Sequence, residues 1–178
     1  MVVLRRQRYR RIYTASAIMQ ETEALVHKYV EEPVWAVVGA SNDRAKYGNR
    51  IYLKLKQAGY RVYPVNNREQ VIEGEIAYAS LLDLPEPPTV VNMVVPPHEA
   101  PAVVQQAEVA GAQAIWFQPG AENAEAVQWA LERGLDVVES CILVQLALRP
   151  PSFEATSSLS SDPSPRDPSP DPATSTRQ

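Results

Sequence analysis

Short apolar runs alternate with longer amphipathic segments through the middle of this chain. The runs Val34–Val38, Arg61–Val65, 90–95, Ala114–Phe117 and 136–138 are rich in valine and isoleucine and bounded by glycine, proline or asparagine, which predicts strands. Helix-length segments follow four of them; after the second comes only a loop with a short turn at 79–82. In 50–58, Ile51, Leu55 and Ala58 share one helical face. In 99–110 the stripe is Val103, Val104, Ala107 and Ala110, and in 124–133 it is Val127, Ala130 and Leu131. Gly59, Gly111 and Gly134 stand where C-terminal caps belong. Strand, helix and strand at this spacing predict a doubly wound, Rossmann-like α/β domain, with a parallel sheet of about five strands covered on both faces.

Ligands on such sheets bind beyond the carboxyl ends of the strands, at the switch point. Function is therefore expected on four edges: 39–49, 66–68, Pro96-Pro97 and 118–120. The first is the most informative. An apolar run ends at Gly39, a polar loop carries Lys46, and Gly48 opens an amphipathic segment. A strand, a tight turn and a helix N-terminus offer backbone N–H groups and a positive dipole to a phosphate.

Composition narrows the class. With 45% hydrophobic residues, 178 residues can bury one core but hardly two. The net charge of −4 and pI of about 5.3 give no overall pull toward nucleic acid. No apolar run approaches the roughly 18 residues of a membrane span. The single cysteine, Cys141, cannot close an internal disulfide and suits a reducing cytoplasm.

The ends differ from the middle. Residues 1–18 carry Arg5, Arg6, Arg8, Arg10 and Arg11 and no acid. Such a start fits a targeting peptide or a small nucleic-acid or membrane contact. It equally fits a start codon upstream of the one used, because Met19 directly precedes an acidic, helix-compatible stretch. Beyond Arg149 the chain turns Pro- and Ser-rich, with too little apolar surface to offset its ordering entropy. The expected organisation is a basic, disordered extension at 1–19, a folded unit at 20–148 and a disordered tail at 149–178.

Which nucleotide fits depends on two loops. A dinucleotide site usually shows three glycines in G-x-G-x-x-G and an acid after the second strand to hold the ribose. Here ten residues run from Gly39 to Gly48, and the second strand ends Val65-Asn66-Asn67-Arg68. The acidic clamp is missing and Arg68 stands close to its place. That favours a ligand with an extra ribose phosphate, which NADP and coenzyme A both carry. A Walker-type loop is excluded, since no Gly-Lys-Ser/Thr opens the helix.

Val37-Val38-Gly39-Ala40-Ser41, Lys46-Tyr47-Gly48-Asn49, Gly59-Tyr60-Arg61-Val62-Tyr63-Pro64-Val65-Asn66, Tyr78-Ala79-Ser80-Leu81 and Trp116-Phe117-Gln118-Pro119-Gly120 together resemble the small stand-alone CoA-binding proteins. Their domain is similar to the CoA-binding domain of the succinyl-CoA synthetase alpha subunit. The resemblance covers residues 30–145. It implies that Gly39, Ala40 and Ser41 approach the ligand's phosphates, and that Lys46, Tyr47, Gly48 and Asn49 form the segment at the helix start. By the same resemblance Val65 and Asn66 form the second edge, with Arg68 beside it. The resemblance further implies that Val95, Pro96 and Pro97 lie against the adenine and the pantetheine arm, and that Gln118 and Gly120 lie close to where that arm runs. The family commonly has proline where this chain has Asn67, which bears on the turn there.

Candidates for catalysis are few. His27 lies away from every edge, and His98 reads as a helix-start residue. Relatives often place a cysteine in the same final segment, there after Asp-Arg, whereas Glu139-Ser140 precede Cys141 here. Mixed disulfide formation with the CoA thiol and a reduced, buried thiol are both open readings of Cys141. Trp35, Trp116 and Trp129 read as core or helix-face residues. The expectation is a non-catalytic binder of coenzyme A or an acyl-CoA, with no catalytic set and no metal. It would be cytoplasmic, without nucleic-acid or membrane partners, and either a homodimer or the partner of synthetase-like subunits. The alternatives are a subunit or fragment related to NDP-forming acyl-CoA synthetases, or an NADP-binding oxidoreductase domain.

Overall fold

The computed structural model describes residues 15–153. Five parallel strands form one sheet: β1 (Val34–Val38), β2 (Arg61–Val65), β5 (Val90–Met93), β6 (Ala114–Phe117) and β7 (Asp136–Glu139), in the order β2-β1-β5-β6-β7. Between β2 and β5 lies an antiparallel hairpin, β3 (Val71–Ile72) and β4 (Glu75–Ile76), then a short 3-10 turn at Leu81–Asp83. The helices are α1 (Ala15–Val30), α2 (Tyr47–Gln57), α3 (Ala100–Val109), α4 (Ala124–Glu132) and α5 (Ile142–Leu148).

Period-two alternation sends each strand's side chains to two separate cores. Trp35, Val37, Val90, Ala114 and Trp116 face α1, α2 and α5, where Tyr29, Ile51, Leu55 and Ile142 meet them. Ala36, Val38, Val91, Met93, Ile115 and Phe117 face α3 and α4. Trp35 and Trp116 are fully buried with ring centroids 5.3 Å apart, and their indole N–H groups donate to the carbonyls of Glu32 and Ser140. Both faces are covered, as the near-continuous apolar strands require.

Three expectations change. In α4 the buried residues are Ala126 and Ala130, while Val127 and Leu131 are half-buried beside a cavity of about 710 Å³. Ala126 and Ala130 belong to the same core cluster as Phe117 and Ala107, so the buried stripe keeps Ala130 of the expected face and adds Ala126. Where a loop is expected after β2, the β3–β4 hairpin forms. And the folded unit is wider than 20–148: α1 already runs at Ala15, and Phe153 packs edge-on against Tyr60 at 4.9 Å between centroids. Ser152 anchors that stretch by donating from its N–H and hydroxyl to Glu31. The expected disorder at 1–14 and 154–178 lies outside the described residues.

Candidate functional site

The order β2-β1-β5 puts the switch point above β1 and β5, where the chain leaves β1 toward one face and β5 toward the other. Gly39 makes that exit possible. It adopts φ +94°, its N–H donates to the Val65 carbonyl at 3.0 Å, and a Cβ there would lie 2.7 Å from the Val94 carbonyl oxygen. Gly48 rests on it: a Cβ on Gly48 would lie 1.9 Å from the Gly39 oxygen. Two glycines therefore bring the start of α2 into backbone contact with the carboxyl end of β1.

That helix start is uncapped. Lys46 occupies the N-cap in an extended conformation with no side-chain cap bond, so the first-turn N–H groups at Tyr47, Gly48 and Asn49 lack an intrahelical partner. Lys46 is exposed and forms no ion pair among the described residues. Arg44, two residues earlier, is instead consumed by a two-pronged bond to Glu73, at 3.1 and 2.9 Å. The exposed ring of Tyr47 sits 5.1 Å from the Arg50 guanidinium. The helix dipole and the first-turn N–H groups, with Lys46 exposed at the N-cap, suit an anion.

The loop leading there is held by two carboxylates the sequence reading did not single out. Glu69 accepts from the Ser41 hydroxyl (2.8 Å), the Asn42 N–H (2.9 Å) and the Asn42 amide (2.7 Å). Glu73, at the hairpin turn with φ +48°, accepts from Arg44 and from the buried Asn49 amide at 2.7 Å. The Asn42 backbone N–H, then the Ser41 hydroxyl, hold the Glu69 carboxyl below its ordinary pKa; the Arg44 and Asn49 bonds do so for Glu73. Lys56 and Tyr52 act likewise on Glu75 in β4. A carboxyl lowered by folding stabilises the fold above its unfolded pKa and ceases to do so as pH falls through its folded one. The loop and hairpin should therefore loosen as pH drops below about 4.5. Denaturant midpoints measured across that range should fall, and should fall less steeply in Glu69→Gln. Equal slopes in the two proteins would rule this out.

The other expected residues divide into open and engaged groups. Ala40 is buried, and Ser41 is spent on Glu69 and on accepting the Asp43 N–H. Val65 is buried and its carbonyl holds Gly39, so it presents no side chain to a ligand. Asn66, expected to make ligand contacts, instead donates to the Ala40 carbonyl at 2.7 Å and accepts from the Arg68 and Glu69 N–H groups. It ties the first two edges together. The Arg68 side chain is exposed and unpaired among the described residues. The first acid after the second strand, Glu69, is bonded inward to the loop.

On the far side, β5 ends at Met93 rather than 95, so Val95 lies past the strand, half-buried and packed against the α3 core, with Pro96 and Pro97 exposed beyond it. Gln118 is buried, donating to Asn92 at 2.7 Å and accepting from the Ile142 N–H at 3.3 Å. Asn92 is wholly buried in the middle of β5, and its Nδ2 has no hydrogen-bond partner among the described residues; the same holds for Oδ1 of Asn49. Gly120 turns at φ +90° in open space. His98 is 79% exposed with Glu99 as its neighbour, and Cys141 is half-buried at the start of α5. Among the described residues no group of three or more His, Cys, Asp or Glu is placed to hold a metal ion.

Fold and site define a doubly wound α/β domain with an uncapped helix start packed on a glycine at its switch point. The model of the CoA binding domain matches residues 33–147, and the chain belongs to that family. It is 31% identical over 114 residues to the uncharacterized protein YneT of Bacillus subtilis, covering 64% of this chain and 84% of that one. It is 44% identical over 62 residues to the alpha subunit of an ADP-forming acetate–CoA ligase II of Pyrococcus furiosus, 34% of this chain and only 14% of the subunit. A solved hypothetical protein from Pyrococcus horikoshii matches with 32% identity and a TM-score of 0.67, over 72% of this chain and 89% of that one. No helix among the described residues is long and apolar enough to cross a membrane.

Proposed function

We propose that this protein binds coenzyme A or an acyl-CoA without transforming it, within the cytoplasm. The observation that carries this reading is the uncapped start of α2, held against β1 with Lys46 unpaired beside it. The pyrophosphate would accept the first-turn N–H groups, and Lys46 or Arg68 would meet the additional ribose phosphate. The exposed Pro96 and Pro97 would line the arm's path across the crevice. Neither His98, exposed beside Glu99, nor the half-buried Cys141 belongs to a hydrogen-bonded nucleophile–base set among the described residues, which supports binding rather than catalysis. The match to the ligase subunit favours a second reading, in which the bound thiol ester is handed to a synthetase-like partner.

Calorimetric titration with CoA, dephospho-CoA, NADP and NAD should rank CoA tightest. Lys46→Ala should weaken CoA by about 1–3 kcal/mol, the worth of a charge-assisted hydrogen bond. Equal affinity for all four ligands would remove the assignment. Unchanged CoA affinity in the variant would remove Lys46 from the site.

A further inference from the structure

We propose that the groove between α4 and the outer edge of β7 binds an extended, basic segment of a partner protein. The segment adds to the sheet as a further strand. It carries two basic residues about four positions apart, with an aliphatic residue midway between them. The groove is the cavity of about 710 Å³ beside Val127 and Leu131, with Glu122, Glu132 and Glu139 also lining it. It follows the flank of α4 next to the buried Ala126 and Ala130. β7 is the last strand of the sheet and pairs with β6 alone. The Asp136 N–H donates to Gln113 and the Ser140 N–H to Phe117, so alternate residues turn their backbone toward β6. Val137 and Glu139 turn theirs outward, where nothing among the described residues bonds them. The opposite edge is blunted: β2 carries Pro64, and the Tyr78 N–H takes its carbonyl. β7 has no proline and no such cover among the described residues.

A free strand edge beside an apolar flank suits an extended chain. Charge then selects which chain. Glu122, Glu132 and Glu139 form no ion pair among the described residues, and no lysine or arginine lines the groove. A second copy docked edge to edge about a two-fold axis would set these carboxylates against their own equivalents. A basic partner meets them with complementary charge. Spacing follows from the helix. Glu122 and Glu139 share the carboxyl end of the sheet, and Glu132 closes α4 at the other end. From Ala124 to Glu132 the helix rises about 12 Å, which a strand covers in roughly four residues. Alternate residues of an added strand face α4, so the ends of that span meet carboxylates and the middle meets Val127 and Leu131. None of this depends on what the switch point binds.

The test selects short peptides from a random display library on the full-length protein. Enriched sequences should carry the basic–aliphatic–basic pattern. On a protein with both Glu132→Lys and Glu139→Lys, the enriched ends should become acidic. A peptide selected on the parent should bind that variant at least about tenfold more weakly, through lost charge complementarity. Both side chains are exposed, so the variant's urea midpoint should match the parent's. Peptide bound to the parent should slow hydrogen exchange at the Val137 and Glu139 amides and leave Val62 in β2 unchanged. No enrichment, an acidic or uncharged pattern, or a pattern indifferent to the charge reversal would overturn the proposal. So would Val137 and Glu139 amides unmoved by a bound peptide. Protection that needs no peptide and grows with protein concentration would overturn it too, assigning the edge to a second copy.

Discussion

Gly48→Ala is expected to destabilise the protein by more than about 3 kcal/mol and to abolish ligand binding with it. An alanine in the first turn of an exposed helix would ordinarily stabilise by up to about 1 kcal/mol over glycine. Here the sign reverses, because the added methyl would sit 1.9 Å from the Gly39 oxygen and 2.9 Å from its carbonyl carbon. Gly39 cannot retreat. It is tied to Val65 on one side, and on the other it already passes the Val94 carbonyl with no room for a Cβ. The alternative is for α2 to lift off β1, opening the core at Ile51 and Leu55 and carrying the anion cradle away from the switch point. Gly120→Ala is the control: its φ is also unfavourable, but nothing lies within 4 Å, so about 1 kcal/mol should be lost. Urea unfolding of both variants measures the difference. A Gly48→Ala protein as stable as the parent would contradict the contact on which the site is built.

Asn49→Asp should cost about 2–4 kcal/mol at neutral pH, although the two side chains have the same shape. The Asn49 amide is buried and donates at 2.7 Å to both the Ser41 carbonyl and the Glu73 carboxylate. Aspartate turns both donations into contacts between acceptors and brings a second negative charge against Glu73. Its own carboxyl would be pushed above its unfolded pKa, so the penalty applies above that pKa and shrinks as pH falls. The gap between variant and parent should therefore narrow on acidification. A gap independent of pH would point to lost donation alone rather than charge.

The strands were legible because each is a compact apolar run closed by a turn residue, and three of the five match residue for residue. A continuous apolar run is what a strand buried on both faces requires. The hairpin was not legible for the converse reason: Val71-Ile72 and Glu75-Ile76 are too short to show any period. Glu69 and Glu73 were hidden with it. The Asn66 side chain folds 66–69 into a local turn, and that turn swings Glu69 back to Ser41. An asparagine just past a strand end, followed three residues later by an acid, was the available hint. In α4, hydrophobicity pointed to Val127, Ala130 and Leu131; Ala130 is buried as expected, and Ala126 rather than the bulkier pair joins it.

The carboxylate lacing around residues 41–49 bears on how fast a ligand can be captured. With Ser41, Asn42, Arg44 and Asn49 already gripped by Glu69 and Glu73, the backbone proposed to receive it is in place before encounter. Recognition of this kind needs no folding step, so the bimolecular rate should track diffusion and ionic strength rather than a slow rearrangement of the protein.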